Sequence, residues 1–260
     1  NWLLFFMIVV PYFLAIIIGL VLALSGAGGT ILTVPILVYL MDISPVKATS
    51  YSLFVVGVTS LIGSYKFFKR SEINLKVGFI FSIPSLLGVV ISRKFIVHNM
   101  PEYISLFNLI SIDKNSFIII IFAILMLIAS LSMFHSWNVK YKKRDNNFLF
   151  ILFDGLIIGV ITGFIGAGGG FLIIPTLLYF SNIRVKEAIG TSLMIITIKS
   201  LFGFMSELNQ SIDWGVLLLF TFLSVIGIII GAYFVNFIRA VYLKKSFGIF
   251  VLIMAILILI

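Results

Sequence analysis

Two clusters of small residues carry the first chemical signal in the chain. Gly26, Ala27, Gly28 and Gly29 stand in SGAGGTILTVP at 25–35, and Gly166, Ala167, Gly168, Gly169 and Gly170 in IGAGGGFLIIP at 165–175. Each interrupts an apolar stretch. Glycine costs about 1 kcal/mol relative to alanine inside a helix, so such runs are poor helices. In a bilayer, non-helical backbone is tolerated only where protein or a wet cavity satisfies its polar groups. The spacing predicts a short helix starting just after each break, with Pro35 and Pro175 near its first turns, where proline is tolerated. Unpaired N–H groups and the positive end of the helix dipole would then point into the break, and an anion could approach the bare backbone closely. Close helix packing is the plainer reading of one such cluster. Two copies at matching positions favour the paired broken helices of a transporter's central site.

Lys199, in GTSLMIITIKSLFGF, is the next candidate, about 12 residues into the apolar run 187–206. A lysine at that depth costs at least about 2.5–3.5 kcal/mol on insertion scales and marks a functional position by default. The alternative is a side chain that snorkels to the nearer interface. No carboxylate lies at an obviously matching depth, since Asp154 falls close to one end of its run. An anion is the natural partner of such a cation, although a lysine that sheds its proton could also carry it. Thr191, Ser192 and Ser200, with Ser50, Ser52, Thr59 and Ser60, put hydroxyls on the same two runs. Individually they read as packing hydrogen bonds. As a set facing the breaks they would offer neutral donors to oxyanion oxygens.

The elements that must position these groups are membrane helices. Of 260 residues, 62% are hydrophobic and 10% charged, against about 25% charged in soluble domains. The apolar runs are long enough for helices rather than barrel strands. The net charge of +9 sits in short loops between runs, which fits membrane orientation and not nucleic-acid binding. Cysteine is absent, and His98 and His135 are far apart, so neither a thiolate nor a His-rich metal site is expected. No HExxH, GxSxG or Walker motif occurs, so no enzyme activity, cofactor or direct use of ATP is expected. The opening run 2–24 is longer than a signal-peptide core and lacks a basic n-region, so it reads as part of the fold.

Apolar runs lie at about 2–24, 30–41, 46–66, 75–97 and 115–135, then 148–166, 170–181, 187–206, 213–238 and 244–260. The second run of each set is too short for a full crossing of roughly 20 residues. Superposed with a 140-residue offset, 13 of 35 positions between Gly19 and Leu53 are identical, including Gly26/Gly166, Pro35/Pro175, Ala48/Ala188 and Ser52/Ser192. After a one-residue slip Gly88 pairs with Gly227. The expected fold is an all-α integral membrane protein of two homologous repeats, each of about five helical segments. Its units are 1–135 and 148–260, joined by a basic linker at 136–147. Four basic residues in NVKYKKRDNN place that linker in the cytoplasm. Lys66, Lys69, Arg70 and Lys76, then Arg184 and Lys186, follow suit, and the acidic loop 207–213 falls outside. Counting every run as a crossing, five per repeat invert the second half, which is the expectation. If each short run instead re-enters from its own side, four crossings remain and the repeats are parallel. Arg93 and Lys94 conflict with the charge rule by landing on the outer side.

The residues also resemble a known family. G-x-x-x-G-x-x-G-A-G-G-G-F-L-x-x-P at 159–175, A-I-G-T-S-L at 188–193, S-L-x-G-F at 200–204 and I-D-W at 212–214 are similar to motifs of the TauE/SafE family of sulfite exporters. The first repeat carries weaker counterparts, S-G-A-G-G-T-x-L-x-V-P and A-T-S-Y-S-L. The resemblance implies a multi-pass inner-membrane transporter of sulfite or a related organosulfur anion. Lys199 departs from the asparagine common in that family, and Thr30 from a third glycine. The reading is alternating-access export of a small anion, held by the two breaks, Lys199 and the nearby hydroxyls. Its rivals are a passive anion or small-solute channel, and a membrane assembly or sensory partner. Homo-oligomerisation is left open.

Overall fold

The computed structural model describes residues 2–26, 29–106, 110–134, 148–165, 173–174, 176–177, 183–208, 211–234, 249, 252–253 and 255–256. Ala27, Gly28, residues 166–170, Pro175 and the basic linker therefore lie outside the described residues. Among those described, the chain forms α1 (Trp2–Ser25), α2 (Gly29–Pro35), α3 (Pro45–Lys69) and α4 (Leu75–Ile91). A hairpin of β1 (Tyr103–Leu106) and β2 (Ile110–Asp113) leads into α5 (Lys114–Phe134). Then come α6 (Phe148–Ile165), α7 (Val185–Met205) and α8 (Trp214–Phe234). Among the described residues four helices are long and apolar enough to cross a membrane: Pro45–Lys69, Leu75–Val97, Lys186–Met205 and Trp214–Phe234. Phe153 and Phe222 are each 62% exposed while Lys199 and Arg93 are 1% exposed. Apolar side chains outside and polar ones inside is the distribution that a hydrocarbon solvent selects.

Two local features depart from the expectation. Pro35 closes α2 instead of opening it, and the chain widens there into a π turn over Ile36–Leu40. Proline has no N–H for the carbonyl four residues back and its ring crowds that carbonyl, so a wider turn relieves both. The hairpin, paired from Tyr103↔Asp113 to Leu106↔Ile110, adds two strands to an otherwise helical fold. Asp113 then caps α5, its carboxylate accepting from the N–H groups of Asn115 and Ser116.

Glycine contacts fix how the helices lie. A Cβ on Gly19 would overlap the carbonyl oxygen of Ser224, and one on Gly231 would crowd Leu20 and Ala23, so α1 and α8 run parallel. Gly155 meets Phe81, Gly159 meets Ser85 and Gly163 meets Val89, so α4 and α6 run parallel as well. In contrast, Gly57 meets Leu201, Gly63 meets Leu193 and Gly203 meets Leu53, so α3 crosses α7 antiparallel. Tyr51 lies at Asp213, Gly63 at Ile228 and Arg70 at Ala232, making α3 parallel to α8. Because α1 and α3 point the same way, residues 26–44 return the chain across the bundle between them.

The helix ends are tied by matching devices. Asn74 Oδ1 accepts from Val77 N–H at 3.1 Å to cap α4, and the Asn74 N–H donates to Thr191 Oγ1 at 2.9 Å. At the positions related by 139 and 140 residues, Asp213 Oδ1 caps α8 at 3.0 Å from Gly215 N, and the Asp213 N–H donates to the Tyr51 hydroxyl at 2.6 Å. Trp214 packs edge-on to Phe54 and Phe204 at this end. If the α4–α6 contact is backbone to backbone, Gly159→Val must push the helices apart. A loss of about 1–3 kcal/mol is expected, read as a lower thermal midpoint in detergent. Phe222→Leu on the exposed face should leave it within about 0.5 kcal/mol; equal midpoints for both variants would contradict the packing.

Candidate functional site

Lys199 lies on α7 between Leu193 and Leu201, the two residues that meet Gly63 and Gly57 of α3. At about 100° per residue it stands roughly 120° and 160° around the helix from them, so its side chain leaves the α3 side of α7 and is buried toward α6. Its ammonium donates to Thr162 Oγ1 of α6 at 3.0 Å, and the Thr162 hydroxyl lies 3.3 Å from the Gly159 carbonyl oxygen. Among the described residues no carboxylate pairs with it. Lys199 is buried inside the bundle, and its partner among the described residues is a hydroxyl. Thr162 lies four residues before the second glycine cluster, which begins at Gly166; the cluster itself lies outside the described residues.

The hydroxyls divide into two groups. Ser192 Oγ lies 2.8 Å from both the Gly26 and the Ile189 carbonyl oxygens, and Thr191 Oγ1 serves Asn74. Thr59 Oγ1 donates to Val55 O at 2.6 Å, and Ser50 Oγ to Val46 O and to Glu207 Oε2. Those hydrogen bonds hold backbone and helix ends together. By contrast, Ser52, Ser60 and Ser200 are buried with hydroxyls that have no partner. Ser60 and Ser200 are related by the 140-residue offset, and both fall within a turn of the α3–α7 crossing. Free buried hydroxyl donors are suited to oxyanion oxygens.

The first break is only partly described. Gly26 adopts φ +65°, the left-handed conformation that ends α1, and a Cβ there would strike Ile189. Its N–H donates to Leu22 O at 2.8 Å and its carbonyl accepts from Ser192. Both polar groups of Gly26 are thus used by the fold. Gly29 packs against Ile18 and Leu22, folding α2 back on α1. Ser192 is seven residues from Lys199, about 10 Å along the helix, so Gly26 and the ammonium occupy different levels of α7.

Sequence reasoning missed Arg93. The residue that broke the charge rule is fully buried in the π segment Ser92–Val97 that extends α4. Its Nη1 donates to Thr49 Oγ1 at 3.0 Å and lies 3.9 Å from Glu207 Oε1. Arg93 and Glu207 were both assigned to the outer side, so an acid and a base at one level was the signal available. Lys94 beside it is exposed.

Known proteins resemble this chain over most of its length. The family model described as sulfite exporter TauE/SafE matches residues 12–259. The chain belongs to the TauE/SafE family. A probable membrane transporter protein of Methanocaldococcus jannaschii is 27% identical to this TauE/SafE protein over 216 residues, covering 80% of this chain and 76% of its own. The probable membrane transporter protein YunE of Bacillus subtilis is 28% identical over 229 residues, 77% of this chain and 78% of its own. YdhB of the same organism, also a probable membrane transporter protein, is 24% identical over 239 residues, 88% and 91%. No solved structure matches significantly. The family is one of membrane transporters and not an enzyme class. Because Thr162 is the described partner of the Lys199 ammonium, Thr162→Val should cost about 1–3 kcal/mol, seen as a lower thermal midpoint. In a Lys199→Met background the same change should cost much less, and an equal cost in both backgrounds would contradict the coupling.

Proposed function

We propose that this TauE/SafE protein carries a small oxyanion, sulfite or a related organosulfur anion, outward across the plasma membrane by alternating access. The observation that carries the reading is the Lys199 ammonium, buried between α7 and α6 beside a hydroxyl and without a carboxylate partner among the described residues. A buried cation without a fixed counter-charge is costly, and a mobile anion supplies one. Ser200, Ser60 and Ser52 have unpartnered hydroxyls to share the load. The second cluster, Gly166, Ala167, Gly168, Gly169 and Gly170, begins four residues after Thr162 in the sequence, and in this reading its backbone N–H groups, with those of Gly28 and Gly29 in the first half, complete the anion's shell. The family's description supplies sulfite and the direction of export.

The moving parts are two inverted repeats, 1–135 and 148–260, joined by the cytoplasmic linker 136–147. Support comes from partner exchange: α1 of the first half lies along α8 of the second, and α6 of the second along α4 of the first. The equivalent helices α3 and α7 oppose each other, as inversion requires. Rocking of one half against the other about that crossing would open Lys199 to each face in turn.

Proteoliposomes loaded with radiolabelled sulfite test this directly. Saturable flux is expected, and Lys199→Ala should lower it about tenfold or more, the worth of a lost charged hydrogen bond. Undiminished flux in that variant removes the lysine from the mechanism, and flux that never saturates replaces the carrier by a channel.

A further inference from the structure

Arg93 carries buried donors that the fold leaves unmet. A guanidinium presents five N–H donors in a fixed plane, and the side holding Nε and one terminal nitrogen forms a fork for two oxygens. Here the other terminal nitrogen, Nη1, is taken by Thr49 and faces Glu207. The fork edge, Nε and Nη2, is buried and has no partner. The neighbouring Ser92 hydroxyl is also buried and unpartnered. The Glu207 carboxylate lies 3.9 Å from Nη1, a long approach, and its other oxygen accepts from Ser50 at 3.3 Å. A buried charge with two unmet donors calls for a partner that brings both charge and acceptors.

The place in the fold suits a ligand on a transport path. The Ser92–Val97 segment packs on α6, and a Cβ on Gly163 would touch Ser92 Cβ at 3.1 Å. Gly163 follows Thr162, the partner of Lys199. Arg93 thus stands beyond Lys199 toward the end of the bundle that holds Glu207 and Asp213. We infer that the Nε–Nη2 edge of Arg93, with Ser92 Oγ, forms a second oxyanion subsite at this end of the bundle, taking a group that presents two oxygens side by side, such as sulfite or a sulfonate. The identity of the anion rests on the transport reading; the existence of the subsite does not need Lys199.

The test is thermal unfolding of the purified protein against sodium sulfite and, separately, sodium methanesulfonate, at ionic strength held constant with chloride. Ligand that binds the folded state raises the midpoint in a saturable way. Wild type should be stabilised by both anions, and Lys199→Ala should keep a saturable response. Arg93→Lys retains the charge but loses the fork, so it should need at least about tenfold more anion, the loss of a bidentate pair. Glu207→Gln removes the competing carboxylate, so its response should come at lower anion concentration than in wild type. That variant carries the test if Arg93→Lys does not fold, because a merely structural pair would lower the midpoint without moving the anion dependence. The subsite is overturned if Arg93→Lys or Glu207→Gln responds at the wild-type concentration. It is equally overturned if Lys199→Ala abolishes the whole response, an outcome that leaves the transport reading intact. No anion response in wild type overturns the subsite too, and sulfite flux in the same preparation then decides whether transport falls with it.

Discussion

A single ammonium in hydrocarbon sets the terms for the rest of this protein. The bilayer offers Lys199 neither water nor a counter-ion, so whatever stabilises its charge must come from the bundle or from a solute that visits it. Burying it requires α6 to close over α7, and Gly155, Gly159 and Gly163 let α6 lie directly on α4. That contact brings α6 to Lys199, because α4 lies along α7 on one side and along α6 on the other. Thr162 arrives in this way, from a helix 37 residues earlier in the chain. Remove the glycine contacts and the ammonium loses its hydroxyl as well as its shelter.

The exchange of helices between halves follows from the same scarcity of polar partners. Hydrocarbon gives little drive to helix association, so close contact through small residues and hydrogen bonds between helix ends hold the bundle together. Gly19 on Ser224 and Gly159 on Ser85 are corresponding contacts, each made with a helix of the other half. Asn74 with Thr191, and Asp213 with Tyr51, are corresponding ties at the helix ends. In the proposed inverted arrangement these pairs lie at opposite faces, so one face can loosen while its counterpart stays tied. The chemistry is not symmetric: the position equivalent to Lys199 is Thr59, whose hydroxyl is turned back to Val55 O.

How much of this was legible in the chain depends on whether the signal was local. The apolar runs at about 46–66 and 213–238 announced the helices Pro45–Lys69 and Trp214–Phe234 to within a few residues, because a crossing needs an uninterrupted apolar run. The depth of Lys199 was legible for the same reason. The hydroxyls were legible only as a set; that Ser192 and Thr191 are committed to Gly26 and Asn74, while Ser60 and Ser200 are free, depends on helix rotation. Arg93 was misread because its partners, Thr49 and Glu207, are 44 and 114 residues away. By local rules alone it was a misplaced loop charge. The 103–113 hairpin was missed because four-residue strands leave too short a pattern between two strong helical runs. Gly26 was read as a backbone donor to an anion, and its positive φ shows a helix stop whose polar groups are already spent.

The central claim is that an oxyanion rests against Lys199. Selenite has the shape and charge of sulfite and carries a strong anomalous scatterer. Crystals grown with it, measured at the selenium edge, locate the anion without reference to activity. The account predicts a selenium peak with oxygens within about 4 Å of Lys199 Nζ, the reach of an ion pair, and no peak there in Lys199→Ala. A peak at that same position that persists in that variant, or an anion bound only elsewhere with the Lys199 ammonium still on Thr162 alone, would contradict it.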